Sequence, residues 1–171
     1  MTPDSEQVYR VCVVCAGNIC RSPMGEAVLR HRLVQAGLDD HIAVESAGTA
    51  GWHVGDPADP RALRILAENG YDADAHIARQ LPADWPDHLD LVLAVDRDSL
   101  TAVTKTAPDE QTRSRVQLFR SYDTDTPAGR DLDIPDPYFG TEEDFIEVLR
   151  LLERASDGLL DIIRTELAAG T

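Results

Sequence analysis

The sequence predicts an α/β fold, three α/β/α layers built around a four-stranded parallel sheet. Two observations predict it. Four short apolar runs alternate with stretches of helical periodicity, which implies right-handed βαβ crossovers and a sheet covered on both faces. The first run, Val8–Val14 (VYRVCVV), is too continuous for a half-exposed strand and fits a buried parallel one. After an intervening loop, Ser22 and Pro23 supply an N-cap and a first-turn proline. From Met24, the residues Ala27, Val28, Leu33, Val34 and Leu38 continue a helix that Gly37 closes. Ile42–Ser46 is the second strand, and Pro60 opens a helix running through Ala62, Leu63, Ile65 and Leu66 to Gly70. Asp90–Val95 is the third strand, followed by a helical stretch from about Asp98, and Val116–Phe119 is the fourth. A loop rich in Pro, Asp and Gly spans 121–140. A long amphipathic helix then begins near Thr141, with Phe145, Val148, Leu149, Leu152, Leu159, Leu160 and Ile163 on its apolar side.

With 171 residues, 43% hydrophobic and 27% charged, the chain has the size and composition of one globular domain. Residues 1–171 are expected to form that single domain, with 1–7 a flexible N-terminal extension. Sixteen Lys and Arg against 31 Asp and Glu leave a net charge of −15, which disfavours nucleic acid and anionic membranes as partners. Three cysteines clustered between Cys12 and Cys20 do not form a secreted disulfide framework. There is no basic-then-apolar leader and no apolar run near the ~20 residues that span a bilayer, so a cytoplasmic location without membrane insertion is expected.

In sheets of this kind, ligands bind outside the carboxyl ends of the strands. The segments expected there are 15–22, 47–59, 96–99 and 121–140. The first carries the spacing Cys15-x5-Arg21-Ser22 between strand and helix. A loop entering a helix aims several backbone N–H groups at one point and adds the positive end of the helix dipole, which makes an anion cradle. Gly17 lets the backbone come close to a ligand, and Asn18 tolerates the left-handed conformation that folds amides into a nest. The planar fork of Arg21 grips two phosphate oxygens, and Cys15 sits at the base, where the amides and Arg21 favour a thiolate. Cys12-x2-Cys15 also permits a redox pair, or a zinc site with Cys20 and His31. Cys12 inside a strand and His31 well along a helix do not close such a tetrahedron. No GxxxxGKS/T nucleotide loop occurs.

The segment VCAGNICRSPMGEAV (14–28) resembles the phosphate-binding loop of the low-molecular-weight protein tyrosine phosphatases. The similarity continues through SAGTAGWHVGDPADPRA (46–62), AHIARQL (75–81), LAVDRDSL (93–100) and DIPDPYFGTEEDF (133–145). The resemblance implies strand order 2-1-3-4, with the phosphate-binding loop between strand 1 and helix 1. It also implies hydrolysis of phosphotyrosine without metal or other cofactor, by way of a cysteinyl-phosphate intermediate. The partners implied are phosphotyrosine-containing proteins and inorganic phosphate. Cys15 is then the nucleophile, and Ala16, Gly17, Asn18, Ile19, Cys20 and Ser22 bind substrate. Asn18 and Ser22 join Ser46 and His76 in a hydrogen-bond network behind the loop. One residue more than in some relatives separates Gly70 from His76.

Nine acidic residues lie in 121–147, and the match to the family's Asp-Pro motif singles out Asp136 as proton donor and then base. Asp136 must hold a proton when substrate is bound, a state that the dianion and partial burial favour. Trp52, Tyr138 and Phe139 are candidate pocket walls that would clasp a phenyl ring, with a core position the alternative for Phe139. His53 lies beside Trp52 and is a further candidate for substrate contact. Cys20 is expected to form a reversible disulfide with Cys15. The chain departs from the family in having Gly25 where alanine is common, and Phe139 where a second tyrosine is frequent. Three other functions share parts of this pattern. A thiol arsenate reductase needs cysteines after Cys20, and there are none. A protein-arginine phosphatase carries threonine in place of Ile19, and a mere phosphate-binding module needs neither nucleophile nor acid.

Overall fold

The computed structural model describes residues 7–127 and 129–169, so six of the seven residues expected as an N-terminal extension lie outside them. Strand β1 (Tyr9–Cys15) is the centre of the fold. Side chains alternate along a strand, so Val11, Val13 and Cys15 join one core while Cys12 and Val14 join the other. β1 pairs in parallel with β2 (Ile42–Gly48) at Val11↔Val44 and with β3 (Leu91–Ala94) at Val11↔Leu91. β4 (Val116–Leu118) adds to β3 at Val92↔Val116, giving the order β2-β1-β3-β4. The expected four-stranded parallel sheet in order 2-1-3-4 is therefore present.

The larger core packs α1 (Arg21–Gln35), α2 (Pro60–Glu68) and α5 (Glu142–Ala169) on the sheet, through Met24, Val28, Ile65, Leu66, Phe145, Leu149 and Leu152. α3 (Arg97–Thr104) and a 3-10 turn at Trp85–Asp87 cover the other face with Val103 and Trp85. At Gly25 a Cβ would stand 3.0 Å from Val13 Cγ1 and 3.3 Å from Leu152 Cδ2 and Phe119 Cε2. The glycine lets α1 lie close against β1 and α5, which offsets its modest cost in helix propensity. Among the described residues no helix is long and apolar enough to cross a membrane.

Two local expectations are corrected, and one short helix is added. Ser22 and Pro23 do not start the first helix. Cys20 is the N-cap residue, without a side-chain cap, and Arg21 opens α1, because the Ser22 hydroxyl is engaged by Cys15 and Asn18 instead. Phe119 leaves β4 and enters a 3-10 turn, Phe119–Tyr122, in which its ring is fully buried. A short α4 (Glu110–Arg113), capped by Asp109 accepting from the Thr112 N–H, has too few residues for periodicity to reveal.

Candidate active site

The loop from Cys15 to Arg21 leaves the carboxyl end of β1 and runs directly into α1. Asn18 bends it, with φ 59°. A left-handed asparagine is strained and must be held from outside. The Arg79 N–H donates to Asn18 Oδ1 at 2.9 Å, and His76 Nε2 donates to the Asn18 carbonyl at 2.7 Å. Asn18 Nδ2 then donates to Ser22 Oγ at 2.7 Å and to Ser46 Oγ at 3.0 Å. Because Ser22 accepts from Asn18, its own hydrogen is free for Cys15 Sγ, 2.9 Å away. The Asn18 N–H adds a second donor to the sulfur at 3.3 Å. Donors therefore run in one direction, from Arg79 through Asn18 and Ser22 to the thiol. The end of β2 must come close for Ser46 to reach in. A Cβ on Gly48 would lie 2.7 Å from the Ala16 carbonyl oxygen, so only glycine fits there.

Arg21 is almost fully buried. Its Nη1 donates to Asp96 Oδ2 at 2.7 Å and to the Ile134 carbonyl at 2.8 Å. Asp96 also caps α3 through Ser99 N–H at 2.8 Å. Burial alone would push the Asp96 carboxyl up, but hydrogen bonds from Ser99 and Arg21 outweigh it and hold Asp96 below its ordinary range. Arg21 Nη2 lies 3.8 Å from Asp136 Oδ2, across the mouth of the loop. The side chain of Asp136 is 57% exposed without substrate. Its Oδ1 accepts from the Tyr138 N–H at 3.1 Å.

Above the loop is a cavity of about 230 Å³, lined by residues 15–21 with Trp52, His53, Asp136, Tyr138 and Phe139. Such a size suits one small group, at the low end for a ligand pocket. Among its walls Trp52 is 74% exposed, and Tyr138 and Phe139 pack edge to face, ring centroids 4.8 Å apart. Phe139 is 96% exposed, so it has no core position. Ser22 does not line the cavity; it lies beneath, against the sulfur, and Ser46 and His76 also support the loop from behind. Cys12 faces the opposite layer from Cys15, where burial pushes its thiol up, so the two cannot act as a pair.

The family model described as low molecular weight phosphotyrosine protein phosphatase matches residues 10–169. The chain belongs to this family. A low molecular weight protein-tyrosine-phosphatase from Streptomyces coelicolor is 51% identical over 159 residues, covering 93% of this chain and 96% of that one. The crystal structure of a protein tyrosine phosphatase from Entamoeba histolytica, with Hepes in its active site, superposes with TM-score 0.85 at 31% identity, covering 94% and 99%. A Drosophila arginine phosphatase superposes with TM-score 0.80 at 30% identity, covering 90% and 96%.

Within this phosphatase-family scaffold, several site residues carry no motif signal of their own. Asp96 lies in the segment expected at the sheet edge, but its ion pair with Arg21 spans 75 positions. Arg79 contributes to the loop through a main-chain N–H, which any residue but proline supplies. Asp59 caps α2, and its N–H donates to the Ile19 carbonyl at 2.8 Å, tying that helix to the loop. His53 packs over the loop, with Cδ2 3.0 Å from where a Cβ on Gly17 would be. The glycine therefore gives room to an aromatic neighbour as well as to a ligand.

Proposed function

We propose that this chain hydrolyses phosphotyrosine monoesters in proteins through a cysteinyl-phosphate intermediate on Cys15. One observation carries the reading: Cys15 lines the cavity with its Sγ held by two donors, the Ser22 hydroxyl and the Asn18 N–H, and Arg21 and Asp136 line the same cavity. The Cys15 thiolate attacks phosphorus in line as the S–P bond forms and the P–O bond to the phenol breaks. Asp136 gives its proton to the leaving oxygen. A water then attacks the S–P bond while Asp136 takes its proton, releasing inorganic phosphate and restoring the thiolate. Loop amides and the helix dipole meet the charge that develops on phosphorus, and Arg21, with Nη1 occupied by Asp96 and Ile134, keeps Nε and Nη2 for two phosphate oxygens. Side chains thus supply the nucleophile, the cation and the acid, and the scheme calls for no metal or cofactor. We place the enzyme in the cytoplasm, acting on phosphoproteins.

The cavity walls argue for an aryl ester. Trp52 and Tyr138 flank the opening, and Ile19 contributes hydrocarbon where a guanidinium would need a hydroxyl or a carboxylate. The similarity to an arginine phosphatase makes a direct comparison the natural test. Phosphotyrosine and phosphoarginine peptides are assayed in parallel, with Cys15→Ser as control. Turnover of phosphotyrosine at least tenfold faster, lost in Cys15→Ser while tungstate still binds, is expected. Preference for phosphoarginine, or substantial activity of Cys15→Ser, would overturn the assignment.

A further inference from the structure

The loop that carries Asp136 has few ties to the rest of the molecule. Ile134 is fixed by its N–H to the Val95 carbonyl, and Thr141 N–H by Asp144 Oδ2; of the residues between, Pro137 is buried, Gly140 is half-buried and the rest are exposed, with Asp136 3.8 Å from Arg21. Among the described residues, the hydrogen bond that reaches the backbone of 135–139 from another element comes from Arg61, whose Nη2 donates to the Tyr138 carbonyl at 2.9 Å. The same guanidinium lies 5.7 Å from the centroid of the Tyr138 ring and 4.6 Å from that of Phe145. Its other edge grips Asp59 in two-pronged fashion, Nε to Oδ1 at 3.0 Å and Nη2 to Oδ2 at 2.8 Å. Asp59 in turn is bonded to the phosphate loop at the Ile19 carbonyl. Tyr138 N–H holds Asp136 Oδ1. The chain of contacts is continuous: phosphate loop, Asp59, Arg61, Tyr138, Asp136.

We propose that Arg61 is a positioning residue that fixes the Asp136 carboxyl relative to Cys15 by tying the Tyr138 carbonyl to Asp59 and, through it, to the phosphate loop. The proposal rests on Asp136 being the proton donor. Arg61 touches no reacting atom, and because it also contacts Asp59 and the Tyr138 ring, leaving-group dependence and tungstate affinity together separate an effect on the acid from one on the phosphate loop. Only a planar fork can hold a carboxylate on one edge while reaching a carbonyl and stacking on two rings; lysine can keep the charge opposite Asp59 but not the rest. A misplacement of about 1 Å costs on the order of 100-fold in a positioned reaction.

The test compares kcat/KM, which reports the phosphorylation step, for phenyl phosphate (a poor leaving group) and 2,4-dinitrophenyl phosphate (a good one). The proteins are wild type, Arg61→Gln, Arg61→Lys, Asp136→Asn and the double variant Arg61→Gln/Asp136→Asn, with tungstate affinity measured alongside. Arg61→Gln is expected to lose roughly tenfold or more on phenyl phosphate and under about threefold on the dinitrophenyl ester, with tungstate affinity kept. Combined with Asp136→Asn it adds no further loss. Arg61→Lys, which keeps the pair with Asp59 should Arg61→Gln fold poorly, is expected to show the same selective loss. Equal losses on both esters, additive losses in the double variant, or a lysine variant with wild-type leaving-group dependence would each overturn the positioning role. If Asp136→Asn itself leaves the dependence unchanged, the acid assignment fails first, and this proposal falls with it.

Discussion

Replacing Asn18 with alanine removes the keystone of the loop, and the cost can be worked bond by bond. Three side-chain hydrogen bonds disappear: from Arg79 N–H, to Ser22 Oγ and to Ser46 Oγ. At ~0.5–1.5 kcal/mol each, they total about 3 kcal/mol, with the Arg79 N–H left unpaired. Asparagine tolerates φ 59° better than alanine, so alanine adds part of the roughly 1–2 kcal/mol left-handed cost, on the order of 1 kcal/mol. Asn18→Ala should therefore lose about 4 kcal/mol, or about 8–16 °C in Tm for a domain of this size. Asn18→Gly lacks the strain but gains freedom in the unfolded chain, so it should be milder by about 0.5–1 kcal/mol. Urea unfolding followed by circular dichroism measures both, and tungstate affinity reports the loop. A loss below about 1 kcal/mol, with alanine and glycine equal and tungstate affinity unchanged, would show that the loop keeps its shape without the network.

Three further outcomes follow from the same structure. Burial pushes the Cys20 thiol up to about 12, so it is protonated beside the nucleophile. We propose that, after peroxide oxidises Cys15 to a sulfenic acid, Cys20 displaces water to form a disulfide. Wild type should recover activity with dithiothreitol, and equal recovery by Cys20→Ser would refute the protective role. Dialysis against EDTA should leave the rate unchanged, whereas inhibition reversed by a divalent ion would contradict catalysis by side chains alone. Acid stability has a definite sign. Burial pushes the Asp123 carboxyl up, but hydrogen bonds from Thr126 and Arg154 outweigh it and hold Asp123 below the ordinary value of 3.8. Its contribution is complete above the unfolded value and drains as pH falls through the folded one. Asp123→Asn should be less stable than wild type near pH ~6, with the gap narrowing only as pH falls below 3.8; a constant gap would contradict it.

The phosphate loop was legible because its parts are contiguous. Cys15, Gly17, Asn18 and Arg21 lie within seven positions, and the β1 run before them fixes where they point. The strands, helices and both layers followed from alternating apolar periods, which burial enforces along the whole chain, whereas the strand order came only with the family resemblance. What stayed hidden depends on distant pairing. The Ser22 hydroxyl looks like a helix cap in sequence, and only the approach of Asn18 and Cys15 recruits it elsewhere. Arg61 reads as an ordinary first-turn arginine until α2 is laid beside the loop at 138, 77 positions away. Phe139 is aromatic and so plausible in a core, yet the short loop after Pro137 turns it outward. The exposure of Asp136 follows from the same loop, since its carboxyl is held by local and ionic contacts rather than by enclosure.

Rapid quenching in acid during the first turnover of a phosphotyrosine peptide, followed by peptide mass spectrometry, tests the nucleophile at the reacting atom. A phosphoryl group on the peptide containing Cys15, present in wild type and missing in Cys15→Ser, is the expected result. Full release of phosphate with no phosphorylated cysteine at any time point would mean that water attacks the ester directly, and that the Cys15 sulfur is a bystander.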